Sequence, residues 1–265
     1  MPRPPSVADI VEEFQAGGRY TFTEAALSRR AGGSRIALKA ALRRLKAKKR
    51  LASPKRGFFV VVPTEYREVG APPASWFVDD LLRFLHQPYY VGLLTAAGLH
   101  GAAHQQPMEF QVVTDRPTRP LRAGRAVIRF HASRQCRRSP VVLMQTETGT
   151  VRVSTPEATA FDLVRFAHAA GHLSNVATVL GELAEKIDAS ALVRLSKQYA
   201  APDVQRLGYL LDVLGKTDLT VSLRRALEQR RYRPIALAPG QTTRSKKSVD
   251  VRWRVRPNEI VEPDR

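Results

Sequence analysis

The chain holds 265 residues, 43% hydrophobic and 25% charged, with a formal net charge of +19; it is long for one core, comfortable for two domains and ordinary in its globular balance. A single cysteine, Cys136, excludes an internal disulfide framework and a Cys-rich zinc site, and suits a reducing cytoplasm. No stretch approaches the roughly 18 apolar residues of a membrane span and no signal-peptide core follows the start, so a soluble, cytoplasmic protein is expected.

Ser6 is placed to cap a first helix over Val7–Gln15, with Val7, Ile10, Val11 and Phe14 on one face and Gly17-Gly18 ending it. A second helix begins near Thr23 and stops at Gly32-Gly33. A third, capped by Ser34, runs to about Lys49 with Leu38, Ala41, Leu42 and Leu45 as its buried stripe. Leu51–Val62 reads as two short strands joined by Ser53-Pro54-Lys55-Arg56-Gly57, and Pro63 ends the second. Three helices and a hairpin with a basic turn follow the order of a winged helix-turn-helix, which assigns residues 1–63 to a DNA-binding domain.

Residues 64–79, centred on Gly70-Ala71-Pro72-Pro73-Ala74-Ser75, read as a linker, and 80–265 as a larger mixed α/β domain. Helices are expected near Trp76–Leu85 and Gly92–Gly101. Strands are expected over Phe110–Thr114, Ala126–His131, Pro140–Glu147 and Thr150–Ser154, the last two a hairpin turning at Glu147-Thr148-Gly149. Thr155-Pro156-Glu157 opens a helix predicted to reach Gly171. Helices over Ser174–Ile187, Ser190–Tyr199, Asp203–Leu214 and Leu219–Arg230 make a C-terminal helical bundle. A loose loop lies near Pro239–Lys247. The alternation over Val249–Arg256 predicts a half-buried strand returning to the small sheet. The fold class is α+β.

Between Ala25 and Thr64 stand twelve Lys or Arg and not one Asp or Glu. Such a block repels itself unless its partner is a polyanion, and DNA phosphates, whose neutralisation releases condensed counterions, are the commonest one. With Leu38, Leu42 and Leu45 inward, a step of 100° per residue points Arg35, Ile36, Lys39, Ala40 and Arg43 outward. Ser34, Arg35, Lys39 and Arg43 are the expected residues at or near bases, since Arg pairs bidentately with guanine O6 and N7. Arg44, Lys46 and Lys48 are the expected phosphate contacts, and Ile36 and Ala40 would allow close approach to thymine methyls. Lys55 and Arg56, in the hairpin turn, would meet the minor groove or backbone. The bland alternative is a solvated basic face and a surface loop.

The run from Pro88-Tyr89-Tyr90-Val91-Gly92-Leu93-Leu94-Thr95-Ala96-Ala97 through Leu99-His100-Gly101-Ala102-Ala103-His104-Gln105-Gln106-Pro107 resembles the opening of the antitoxin domain of the AbiEi family. Phe110–Thr114, Ser154–Val164, Asn175–Leu180 and the terminal Arg252-Trp253 resemble it too, in order, behind an N-terminal winged helix as that family has it. The resemblance implies the antitoxin half of a type IV, abortive-infection toxin-antitoxin pair. It implies a neighbouring nucleotidyltransferase toxin, binding of the N-terminal domain to double-stranded inverted repeats in its own promoter, and repression of the operon.

A second basic run holds Arg116, Arg119, Arg122, Arg125, Arg129, Arg134, Arg137 and Arg138, with Asp115 opposing. It could extend the DNA footprint, meet nucleic acid held by the toxin, or solubilise a loop. His100 and His104, and His168 and His172, have the i,i+4 spacing of zinc ligands. They lack an H-E-x-x-H pattern or a Cys pair, so structural roles are expected and no metal. Gly33-Ser34 lacks the nearby acids of a nucleotidyltransferase, phosphate-loop and nucleophile-elbow motifs are missing, and Asp162 reads as part of a capped helix; neither catalysis nor a cofactor is expected. The rival reading is a winged-helix regulator whose C-terminal domain senses a ligand through a polar pocket within residues 80–260. A nuclease, the third class, would need clustered carboxylates that the scattered acids do not supply.

Overall fold

Each of the three helix caps predicted before residue 50 is in place. In a computed structural model, which describes residues 5–32, 34–102, 108–240 and 248–263, the hydroxyls of Ser6, Thr23 and Ser34 accept from the amides of Asp9, Ala26 and Ala37. They open α1 (Val7–Ala16), α2 (Glu24–Ala31) and α3 (Arg35–Ala47). Asp9 returns a bond to the Ser6 amide at 2.9 Å, closing a capping box. Gly33, half of the expected stop of α2, lies outside the described residues; Gly32 before it has φ 59°.

These helices enclose Ile10, Phe14, Leu27, Leu38, Leu42 and Leu45 together with strand residues Phe22 and Phe59. The strands are β1 (Thr21–Thr23), β2 (Leu51–Lys55) and β3 (Phe58–Val61), in the order β1-β3-β2. β1 was not anticipated, because three residues between two helices show no alternation. It pairs antiparallel with β3, Phe22 opposite Phe59, and the two rings stack at 5.4 Å. The hairpin turn is shorter than expected: Ser53, Pro54 and Lys55 belong to β2, leaving Arg56-Gly57 as the turn. Register shifts between Ala52 and Lys55, the place where Pro54 has no N–H for a ladder bond.

The segment read as a linker is packed chain. It holds short 3-10 turns at Thr64–Tyr66 and Ala74–Trp76, with Ala71, Ala74 and Phe77 buried. Trp76 meets Tyr20 and Tyr66 edge-on at 5.1 and 5.4 Å, and its carbonyl accepts from Thr148 Oγ1 at 2.6 Å. Beyond it come α4 (Val78–Phe84), β4 (Tyr89–Val91), α5 (Leu93–Leu99), β5 (Phe110–Thr114), β6 (Leu121–Ala123), β7 (Ala126–Ala132), β8 (Val141–Thr146) and β9 (Gly149–Ser154). Six of these strands form one sheet, ordered β6-β7-β5-β4-β9-β8, with β5 parallel to β7, β4 parallel to β9 and β6 antiparallel to β7. The four strands expected here all form; β4 and β6, three residues each, were not anticipated. At the β6–β7 turn a Cβ on Gly124 would lie 2.2 Å from the Val69 carbonyl oxygen, so glycine is required.

α6 (Pro156–Arg165), α7 (His172–Leu183), α8 (Ala189–Ser196), α9 (Ala201–Val213) and α10 (Thr217–Glu228) follow, then β10 (Ile235–Ala236) and β11 (Val255–Arg256). α6 stops six residues short of the expected Gly171, giving way to a 3-10 turn at Ala167–Ala170 that Gly171 ends in the left-handed region. The predicted strand at 249–256 is corrected. Residues 251–253 form a turn in which the Trp253 amide donates to Asp250 Oδ1 at 2.7 Å and Arg254 takes φ 53°. Only Val255-Arg256 is extended, parallel to β10 in a separate two-stranded sheet. The alternation was real in burial, with Trp253 and Val255 inside and Arg254 and Arg256 outside, but a turn produces it. Of the loop at 239–247, residues 241–247 lie outside the described residues.

The chain divides into two compact units. One comprises Met1–Tyr90, Met108–Arg137 and Leu143–Arg152; the other comprises Val91–Pro107, Arg138–Val142 and Val153–Arg265. These divisions fall elsewhere than the sequence boundaries at 63 and 80, and the class is α+β. Among the described residues no helix is long and apolar enough to cross a membrane. In the second unit Trp253 is fully buried against α9, where a Cβ on Gly208 would come within 2.2 Å of its ring. Gly208→Ala should therefore lower stability by about 1–3 kcal/mol, read as a reduced urea midpoint at unchanged slope.

Candidate nucleic-acid interface

The inward stripe of α3 decides what the helix presents. Leu38, Leu42 and Leu45 are buried, so Arg35, Lys39, Arg43, Arg44, Lys46 and Lys48 are all exposed, and Ile36 is 83% exposed among them. Ala40 is half-buried. Ser34, also exposed, uses its oxygen as the cap of α3 by accepting from Ala37 at 3.2 Å, which leaves its hydroxyl hydrogen free to donate.

The nearby acids are directed elsewhere. On α1, Glu13 binds Arg30 at 2.7 Å and Glu12 binds Arg50 at 2.8 Å, while Asp9 serves its own helix end. Arg30 and Arg50 are thus balanced by acids of α1. Among the described residues no ion pair engages Arg35, Lys39, Arg43, Arg44, Lys46 or Lys48. The first turns of α3 carry unbalanced donors on a surface with no carboxylate of its own.

Lys55 and Arg56 stand exposed at the tip of the β2–β3 hairpin. Gly57 turns the chain at φ 83°, and its carbonyl accepts from the Glu24 amide at 2.8 Å, tying the tip to the start of α2. Ser53 Oγ lies 3.0 Å from the carbonyls of both Lys55 and Phe58, bracing the turn from below. Sequence reasoning placed Ser53 inside the turn and so missed this bracing role; a serine two residues before a basic hairpin tip was the available signal.

The second basic run is partly neutralised. Arg129 grips Glu109 with Nε at 2.7 Å and Nη2 at 2.5 Å, and that hydrogen bonding holds the Glu109 carboxyl below its ordinary range. Arg137 pairs with Asp115 at 2.8 Å. Arg116, Arg119, Arg122, Arg125, Arg134 and Arg138 are exposed, without ion pairs among the described residues. Within the first unit β6, which carries Arg122, packs along β2.

A cleft of about 410 Å³ in that unit is lined by Tyr20, Thr21, Phe58, Trp76, Asp80 and Arg83, among others. Thr21 Oγ1 donates to Asp80 Oδ2 at 2.5 Å, and Arg83 reaches Asp80 at 3.2 Å. It is built largely from residues before position 80, so it is not a pocket within 80–260.

His100 sits with Nε2 2.7 Å from the Ser154 carbonyl, a structural role; His104 lies outside the described residues. His168 and His172 meet ring to edge at 4.8 Å, and among the described residues no group of three or more potential ligands is gathered. Asp162 is buried on α6 next to Phe161, whose ring stacks on Tyr199 at 4.1 Å. Burial, and then the Asp162 charge, push the Tyr199 hydroxyl well above its ordinary value. Glu157, buried in the first turn of α6, accepts from the Asp188 amide at 2.9 Å and joins α6 to the cap of α8.

Residues 90–213 match the family model described as the AbiEi antitoxin C-terminal domain. This stretch is an AbiEi antitoxin domain. Proteins of that family are the antitoxins of toxin-antitoxin, abortive-infection systems, a regulatory and non-enzymatic kind of protein with a toxin partner. The matched span takes in all but the first two residues of the phrase at 88–107 and the phrases at 110–114, 154–164 and 175–180, while Arg252-Trp253 lies beyond it. The chain is also similar to the RV2827C protein from Mycobacterium tuberculosis, known from a crystal structure. The TM-score is 0.66 at 16% identity, over 96% of this chain and 92% of that one. At such identity the likeness concerns fold alone. No curated protein gives a significant match.

The cap geometry yields a direct expectation. Ser34→Ala removes the acceptor for the Ala37 amide and should cost about 1 kcal/mol, seen as a lower midpoint in chemical denaturation, while Arg35→Ala should leave that midpoint within about 0.5 kcal/mol.

Proposed function

We propose that this AbiEi antitoxin binds double-stranded inverted repeats in its own promoter through a winged helix-turn-helix formed by residues 1–63, represses its operon, and counteracts a nucleotidyltransferase toxin. The observation that carries the DNA reading is the acid-free outer face of α3, whose neighbouring carboxylates go to Arg30 and Arg50 instead. In this reading α3 enters the major groove. Ser34, Arg35, Lys39 and Arg43 lie at or near bases, Arg44, Lys46 and Lys48 on phosphates, and the hairpin tip with Lys55 and Arg56 on the adjoining groove or backbone. Two copies on an inverted repeat occlude the promoter, and the larger mixed α/β domain with its C-terminal helical bundle supplies the antitoxin activity in the cytoplasm.

Six phosphate contacts would give a salt slope near −5 on a log–log plot, about a thousandfold weakening between 50 and 200 mM salt. In gel-shift titrations Arg35→Ala should relax discrimination between promoter and random duplex, whereas Lys46→Ala should weaken both alike and flatten the slope by about one. Equal affinity of the unaltered protein for promoter and random DNA would overturn the reading.

The toxin-directed part is tested in cells expressing the neighbouring nucleotidyltransferase. Full-length protein carrying Arg35→Glu and Lys39→Glu should lose promoter binding and still restore growth; loss of rescue with an intact fold would assign protection to repression alone. A second reading, a winged-helix regulator answering to a small ligand, draws on the cleft around Tyr20, Trp76 and Asp80. It requires a ligand that fills this cleft and releases the DNA.

A further inference from the structure

The second unit carries a cleft of about 440 Å³ whose walls come from two stretches of chain, 224–232 and 251–254. Five arginines line it, and two are neutralised. Arg224 Nε meets Glu228 at 2.9 Å, and Arg252 Nε lies 3.1 Å from Asp212 Oδ2, with its Nη2 donating to Thr220 Oγ1. Arg230, Arg231 and Arg254 have no carboxylate partner among the described residues.

Two of these three are nevertheless held in place. Arg230 donates to the carbonyls of Ser196 and Tyr199 at 3.3 and 2.9 Å. Arg254 donates to the Tyr232 carbonyl at 3.1 Å, and its guanidinium lies 4.8 Å from the centre of the Tyr232 ring. A bond to a carbonyl occupies a donor without cancelling the charge, so orientation is fixed and the positive field persists. The backbone beneath is equally constrained. Fully buried Gln205 donates through Nε2 to the carbonyls of Arg233 and Trp253 at 3.0 and 2.9 Å, joining the two stretches. The Ile235 amide donates to the Arg254 carbonyl at 3.0 Å.

Three guanidinium groups without a carboxylate partner in one concave site, two of them held in orientation, match the oxygens of successive phosphates. The volume is that of a nucleotide-sized pocket, and the half-buried Tyr232 offers an aromatic edge at the same place. We propose that this cleft binds the phosphate chain of a nucleoside triphosphate. The inference is independent of the DNA reading, since every residue it uses lies in the second unit. It gives that unit a ligand through which the antitoxin can respond to nucleotide.

The test is calorimetric titration of the full-length protein with GTP, ATP, orthophosphate and a ten-nucleotide single strand, using the unaltered chain and Arg231→Glu, Arg231→Lys, Arg254→Ala and Arg35→Glu. Arg231 is exposed and lies in no ion pair among the described residues, so its variants should keep the circular dichroism spectrum and melting profile of the parent. The expected result is triphosphate binding far tighter than orthophosphate binding, weakened about tenfold or more by Arg231→Glu and by Arg254→Ala. Arg231→Lys should keep most of the affinity, and Arg35→Glu should leave it unchanged. Absence of triphosphate binding, equal affinity in the Arg231→Glu protein, or loss of binding with Arg35→Glu would each overturn the proposal. A single strand that binds through Arg231 more tightly than either triphosphate would overturn the nucleotide assignment and make the cleft a nucleic-acid contact.

Discussion

Burial of Leu38, Leu42 and Leu45 against Ile10, Phe14, Phe22 and Leu27 is the constraint on which the candidate interface depends. A helix of 13 residues with three buried leucines on one stripe has a single way to lie on its core. Turning it would place lysine and arginine in an apolar interior, where an unpaired charge is far more costly than an exposed one. The direction of Arg35, Lys39 and Arg43 is therefore a by-product of apolar packing. Any partner these side chains meet finds them in a geometry set by groups it never touches.

The placement of acids completes that arrangement. Glu12 and Glu13 are close enough to form ion pairs, yet they do so with Arg50 and Arg30. The same economy appears in the second unit, where Glu228 and Asp212 answer Arg224 and Arg252 and leave their neighbours uncompensated. Exposed pairs of this kind contribute little to stability, about 1 kcal/mol or less. Their larger effect is electrostatic: they sort the cations of each unit into balanced and unbalanced sets.

Much of the fold was legible because local signals were strong and unopposed. Ser6, Thr23, Ser34 and Thr155 announced helix starts through cap chemistry, and all four hydroxyls accept as expected. The strands at Phe110 and Ala126 were visible in their apolar, β-branched content. What was hidden depended on distant partners. Thr21–Thr23, Tyr89–Val91 and Leu121–Ala123 are too short to show a period and are strands only because a longer neighbour recruits them. Gly70-Ala71-Pro72-Pro73 suggested slack, but Trp76 lodged between Tyr20 and Tyr66 orders the segment. For the interface, outward direction could be derived from periodicity; the ion pairs on Arg30 and Arg50, and the bracing of the hairpin tip by Ser53, required three-dimensional neighbours. The arginine cleft was invisible, since residues 224–232 and 251–254 are brought together by Gln205 from a third stretch.

The first compact unit is interrupted twice in sequence, its last stretch ending at Arg152. A ribosome making this chain releases the basic helix long before the strands that finish its unit. Early growth therefore exposes a half-built, strongly cationic nascent segment beside the polyanionic RNA of the translating particle. Completion of that unit waits until more than half of the polypeptide has emerged, up to Arg152.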